Sequence, residues 1–117
     1  MRNFRKYDIW IDSIKMVDEV YDIIDRFPDT EKYGLHSQMG RCVISIPSNI
    51  AEGARRKSEK EYARFLEISL GSSFELETQL IVSKNRKFLS EERFEDLLTD
   101  LHSIQKRISG FIIRLRS

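Results

Sequence analysis

The chain has 117 residues, of which 40% are hydrophobic and 33% charged, with 20 Lys and Arg against 19 Asp and Glu for a net charge of +1. This length serves one domain, residues 1–117, and suffices for a core without covalent staples. The near balance of charge gives nucleic acid no global support, so only a local basic patch argues for it. The lone cysteine, Cys42, excludes an internal disulfide and fits a reducing, cytoplasmic setting.

No apolar run approaches the ~20 residues of a membrane span. The basic start, Met1-Arg2-Asn3-Phe4-Arg5-Lys6, leads into Tyr7-Asp8 rather than an apolar signal core, so the chain reads as untargeted. With 2 prolines and 5 glycines, breakers are scarce and helices are favoured over a sheet.

The first helix is expected from Phe4 to Arg26. Tyr7, Trp10, Ile14, Val17, Tyr21 and Ile24 recur at three- and four-residue spacing, the seam of a bundle helix. Ile9, Met16, Val20, Ile23 and Phe27 make a second stripe beside it. Together they cover roughly 200° of the helix. Two readings stay open: a deeply buried helix, or a second stripe that meets another subunit. Pro28 ends this helix, because proline cannot continue it.

The second helix is expected from about Leu35. Leu35, Met39, Cys42, Val43, Ile46, Ile50 and Ala54 share one arc of about 120°. Pro47 sits in the middle of the segment; it deletes a backbone hydrogen bond and should kink or divide the helix. Ser58 and Glu61 form a capping box that opens a third helix. That helix runs to about Asn85, with Tyr62, Phe65, Leu66, Ser69, Leu70, Ser73, Leu76 and Leu80 on its core face. Gly71 and Ser72 lie on the opposite side near Ile68, Glu75 and Val82, where close approach of another helix would offset the glycine's cost of about 1 kcal/mol. Arg86-Lys87 mark a loop and Ser90 opens a fourth helix, whose apolar stripe runs from Phe94 to Leu115. Four helices with short connections predict an all-α, antiparallel up-down four-helix bundle with a kinked second helix.

The chemistry of an enzyme is not visible. A di-iron site in such a bundle needs Glu-x-x-His pairs, but His36 follows Tyr33 by three residues and His102 follows Thr99. The glycines are scattered and form no phosphate loop, and no nucleophile-elbow or zinc spacing occurs. No catalytic residue, metal or cofactor is expected.

The segment Ser45-Ile46-Pro47-Ser48-Asn49-Ile50-Ala51-Glu52-Gly53-Ala54-Arg55-Arg56-Lys57 is the most unusual in the chain. In one reading it is structural: serine hydroxyls bond carbonyls freed by Pro47 and Arg55 to Lys57 cap the helix. In the other, Ser45, Ser48, Asn49 and Glu52 form a polar groove that binds a partner. Lys60 and Arg64 continue the positive charge on the next helix. Glu77 projects into an apolar arc, so it needs a partner or a raised pKa, with Arg41, Arg55 or Arg56 as candidate ion-pair partners.

Tyr33-Gly34-Leu35-x-Ser37-Gln38-Met39 and Ser45-Ile46-Pro47-Ser48-Asn49-Ile50-Ala51-Glu52-Gly53 are followed by Glu61-Tyr62-x-Arg64-Phe65-Leu66 and Gly71-Ser72-Ser73-x-Glu75-Leu76-Glu77-Thr78-Gln79-Leu80. This pattern resembles the bacterial four-helix-bundle proteins encoded in intervening sequences of 23S ribosomal RNA genes (the S23 ribosomal protein-like family). The resemblance covers most of the chain. It implies an antiparallel bundle and a homopentamer, since this family and the related accessory proteins of diversity-generating retroelements form five-fold rings. It implies no catalytic activity, and the family has no established biochemical role. Gly40-Arg41 stands where the family more often has two basic residues, which weakens a positive patch there.

The first functional expectation is therefore a non-enzymatic oligomeric module that binds RNA. Arg41, Arg55, Arg56, Lys57, Lys60 and Arg64 are its candidate phosphate contacts, Arg55 and Arg56 foremost. The alternative is a protein-interaction adaptor that uses the polar groove. A third is an enzyme using Glu52 or Glu77.

Overall fold

A computed structural model describes residues 2–117. Among the described residues it contains α1 (Asp8–Ile24), α2 (Leu35–Ala54), α3 (Glu59–Asn85) and α4 (Glu91–Arg116), with 3-10 turns at Phe4–Lys6 and Asp29–Glu31 and no strand. Each helix packs on its two neighbours in the order α1, α2, α3, α4 and back to α1, with α2 and α3 the most extensive pair. The diagonal pairs do not meet, and the body measures 43 × 24 × 20 Å.

The start signals act as the sequence predicts. Ser58 Oγ accepts from Glu61 N at 3.1 Å and Ser90 Oγ from Arg93 N at 3.2 Å. Each satisfies an amide that the first turn leaves without a partner. After α3, Lys87 takes a left-handed φ of 65°. The reversal lets Phe88 N reach Ser83 O at 2.9 Å and sets the Phe88 ring 5.4 Å from that of Phe27.

Helix one departs from expectation in two ways. It starts later, because Tyr7 is extended and separates Phe4–Lys6 from α1. Its core face is also the other stripe. Ile9, Met16, Val20, Ile23, Ile24 and Phe27 are buried within the chain, whereas Ile11 and Ile14 are exposed and Trp10, Val17 and Tyr21 half-buried. Of the eleven residues in the two stripes, only Ile24 of the expected seam belongs to the buried set. The aromatic residues that suggested that seam sit at its edge, where Tyr7 and Trp10 make edge contacts with Phe111 and Phe4. The second stripe thus lies in this chain's own core, and the first lies at its edge.

Helix two runs unbroken through Pro47, which is buried, so the expected division does not occur. The Ser45 hydroxyl is not spent on a freed carbonyl. It bonds Ser72 Oγ on α3 at 2.8 Å, so Ser72 faces α2 and not the outer side expected for it beside Gly71. The predicted apolar arc is the observed one, from Met39 to Ala54. Burying each such aliphatic side chain contributes about 1.5–3 kcal/mol before entropy is counted.

Candidate nucleic-acid interface

Five of the six expected basic residues come together where α2 passes into α3. Arg55 caps α2, Arg56 and Lys57 form the connection, and Lys60 and Arg64 occupy the first turns of α3. Arg41 does not join them. It is exposed but lies 14 residues before Arg55 on the same helix, about 21 Å away along the axis.

Arg56 is the most committed of the five. Its Nη2 meets Glu52 Oε1 at 2.5 Å, its guanidinium covers the Phe65 ring at 4.5 Å, and its carbonyl accepts from Arg2 Nη1 at 2.9 Å. Arg2 in turn covers the Tyr62 ring at 4.8 Å. The charge of Arg56 is offset by Glu52 and one face of its guanidinium is taken by Phe65, but among the described residues only one of its five N–H donors is used and its buried Nε has no partner. Arg55, Lys57, Lys60 and Arg64 are exposed and have no carboxylate partner within 4.0 Å among the described residues. The amides of Arg55 and Arg56 close the end of α2 on Glu52 O and Gly53 O at 3.3 and 3.0 Å, and Arg2 reaches the carbonyl beyond them, that of Arg56.

The four groove residues divide. Ser48 and Glu52 are exposed, while Ser45 and Asn49 are half-buried and turn into the seam with α3. Asn49 Nδ2 donates to Ser45 O at 2.8 Å and to Ser45 Oγ at 2.9 Å. Beside them Ser69 Oγ donates to Ile46 O at 2.8 Å and Cys42 Sγ to Ser72 O at 3.1 Å. Burial pushes the Cys42 thiol up to about 12, which leaves it a packing residue rather than a nucleophile. Half of the polar pattern of α2, Ser45 and Asn49, is thus spent inside the molecule.

Glu77 finds its partners on α4, not among Arg41, Arg55 and Arg56. Gln105 Nε2 donates to Glu77 Oε1 at 2.9 Å, and His102 Nε2 lies 3.3 Å from the same oxygen. The carboxylate is 27% exposed, so water shares its solvation. Among the described residues no three His, Cys, Asp or Glu side chains are grouped to hold a metal. No described helix is long and apolar enough to cross a membrane.

The fold sorts charge in a way that the linear sequence conceals. Tyr7 packs on Phe111, Tyr62 on Phe111, and Arg116 pairs with Glu67. These contacts bring the beginnings of α1 and α3 to the endings of α2 and α4. Segments 1–15, 51–67 and 106–117 carry 13 basic and 6 acidic residues, a net +7. The remaining residues carry 7 basic and 13 acidic, a net −6. At the acidic end His36 pairs with Asp25. Glu19 there has its pKa raised by burial and then by Asp100. The sequence reading found the α2–α3 cluster but missed Arg2, Arg5, Lys6, Lys106 and Arg114. The signal was present, since residues 106–117 contain four basic residues and no acid, but it appears only once the chain is folded back at its loops.

The fold has a solved counterpart in a protein of unknown function from the S23 ribosomal protein family of Bacteroides thetaiotaomicron VPI-5482. The two superpose with a TM-score of 0.82 at 21% identity, over 89% of this chain and 94% of that one. None of the curated proteins is a significant match. The pattern of small and polar residues through α2 and α3 lies within residues 5–110, the stretch matched by the family model for the 23S rRNA-intervening sequence protein. This chain belongs to that family.

Proposed function

We propose that this protein is a non-enzymatic, self-associating module that binds RNA through its basic end. The segregation of a net +7 from a net −6 carries the reading. A neutral chain that collects its cations at one end has a phosphate-binding surface without general basicity. The up-down antiparallel course of the helices fits the pairing of ends described above. A reducing, cytoplasmic setting fits the single buried thiol.

Self-association, as the homopentamer the family resemblance implies, is favoured by the apolar side chains left in solvent. Ile68, Phe74, Ile81 and Val82 on α3 are 51%, 53%, 38% and 41% exposed, and Ile44 on α2 is 43% exposed. Patches of this kind on one body mark interaction surfaces. A ring repeats one modest basic end several times, which raises avidity without new contacts.

The test replaces Arg55, Lys57 and Lys60 together by Ala, sparing Arg56 because it holds the α2–α3 connection. Binding to structured ribosomal RNA fragments should weaken, and the salt dependence should flatten by about two phosphate contacts or more. Light scattering should give an unchanged mass. Wild-type binding that is absent even at low salt would defeat the reading and turn attention to a protein partner on the apolar face of α3.

A further inference from the structure

A second surface at the same end lies away from the α2–α3 connection. Where α1 begins and α4 nears its end, a groove of about 600 Å³ is lined by Lys6, Tyr7, Lys106, Gly110, Phe111 and Arg114, and equally by Asp8, Ile9 and Arg107. Arg107 is neutralised by Asp12 at 2.7 Å. Lys6, Lys106 and Arg114 are exposed and have no carboxylate within 4.0 Å among the described residues. They outweigh Asp8 by three charges to one.

The walls are aromatic and half-buried. Tyr7 and Phe111 meet edge to face at 5.8 Å, and the Arg114 guanidinium covers the Phe111 ring at 5.3 Å. The floor is open. A Cβ added at Gly110 would meet only Arg114 Nη1, at 3.9 Å. Cations around flat π-surfaces in an open trough suit a strand whose bases are free to stack and whose phosphates need neutralising. A duplex offers the phosphates but keeps its bases stacked inside. An acidic peptide offers charge without rings.

We propose that this groove binds an unpaired segment of RNA, with phosphates on Lys6, Lys106 and Arg114 and a base against the Tyr7–Phe111 corner. The proposal rests on the RNA-binding reading and extends it to a single-stranded element and a second site.

Gly110 provides a test that leaves charge untouched. Gly110→Leu fills the trough, while the double variant Lys106→Ala, Arg114→Ala removes two exposed cations that pair with no carboxylate. Each is titrated with an oligouridine of about 15 nucleotides, with the matching duplex, and with polyglutamate as competitor. Circular dichroism and light scattering check fold and assembly. Gly110→Leu should weaken oligouridine binding about tenfold with its salt slope nearly intact, and should leave duplex binding unchanged. The double variant should flatten the slope by about one to one and a half. Wild-type oligouridine affinity in both, while the Arg55, Lys57, Lys60 variant is weakened, overturns the groove and leaves the RNA reading standing. Indifference of all three variants overturns both. Polyglutamate displacing oligouridine at equal charge reduces the groove to a general anion site and also overturns the proposal.

Discussion

The inner and outer faces of α3 are built from similar residues and live in different surroundings. Facing α2, Ser69 is fully buried, Ser72 is half-buried, and Gly53 of α2 lies hard against the Tyr62 ring and Phe65 Cβ. Facing outward, Ile68, Phe74 and Val82 stand in solvent around Gly71, where an added Cβ would touch nothing within 4 Å. Small residues permit close approach of two backbones, but they do not say whose backbone approaches. On the inner face the visitor belongs to the same chain. On the outer face none of the described residues fills the role.

The sharpest way to break this contrast is at Gly53. A methyl there would lie 2.7 Å from Tyr62 Cδ1 and 2.8 Å from Phe65 Cβ. The second of these sits next to the backbone and has little room to yield. Overpacking of this kind costs about 1–3 kcal/mol, offset by about 1 kcal/mol from replacing glycine inside a helix. Gly53→Ala should therefore destabilise the protein by about 1 kcal/mol, and by about 2 kcal/mol if Phe65 cannot yield, read as a lowered midpoint in urea unfolding. A gain in stability would mean that the seam is looser than its distances indicate.

Gly71→Ala is the counterpart, and its sign is reversed for the isolated chain. With no atom near the new methyl, the substitution should stabilise a single chain by about 1 kcal/mol through helix propensity alone. If a neighbouring copy packs on Gly71, the same methyl should lower the assembled mass in light scattering and erase the gain. Measuring unfolding and mass on one sample separates these outcomes.

The uneven legibility of the chain has the same origin. The ends of α3, the Ser58 and Ser90 caps and the apolar arc of α2 were readable because each is decided within a few residues of sequence. The orientation of α1 was not, because two adjacent apolar stripes serve equally well until partners choose between them. Met16 and Val20 won the core, and Trp10 and Ile14 were left at the margin. The basic site was half readable. Arg55, Lys57, Lys60 and Arg64 are close in sequence, whereas Lys6 and Arg114 become neighbours of one groove only through the fold. Glu77 was marked as a buried carboxylate in need of a partner, and it is half-buried. Its partner was misjudged because Gln105 and His102 lie 28 and 25 positions away on α4, and periodicity within α3 carries no information about them.

The smallest expected effect tests whether the α2–α3 seam is sealed. Ser72 Oγ shares a 2.8 Å hydrogen bond with Ser45 Oγ, and both side chains are half-buried. Ser72→Ala removes one partner, yet Ser45 keeps the amide of Asn49 at 2.9 Å and water can reach the vacated position. The cost should be about 0.5 kcal/mol, the low end for a hydrogen bond whose remaining partner is resolvated. If the seam were dry, Ser45 would lose a partner that water cannot replace, and the penalty would rise to about 1–3 kcal/mol. Nothing within one chain makes it that dry. A large loss on Ser72→Ala, seen together with a smaller assembled mass for Gly71→Ala, would place the neighbouring copy over the edge of this seam as well as over the outer face of α3.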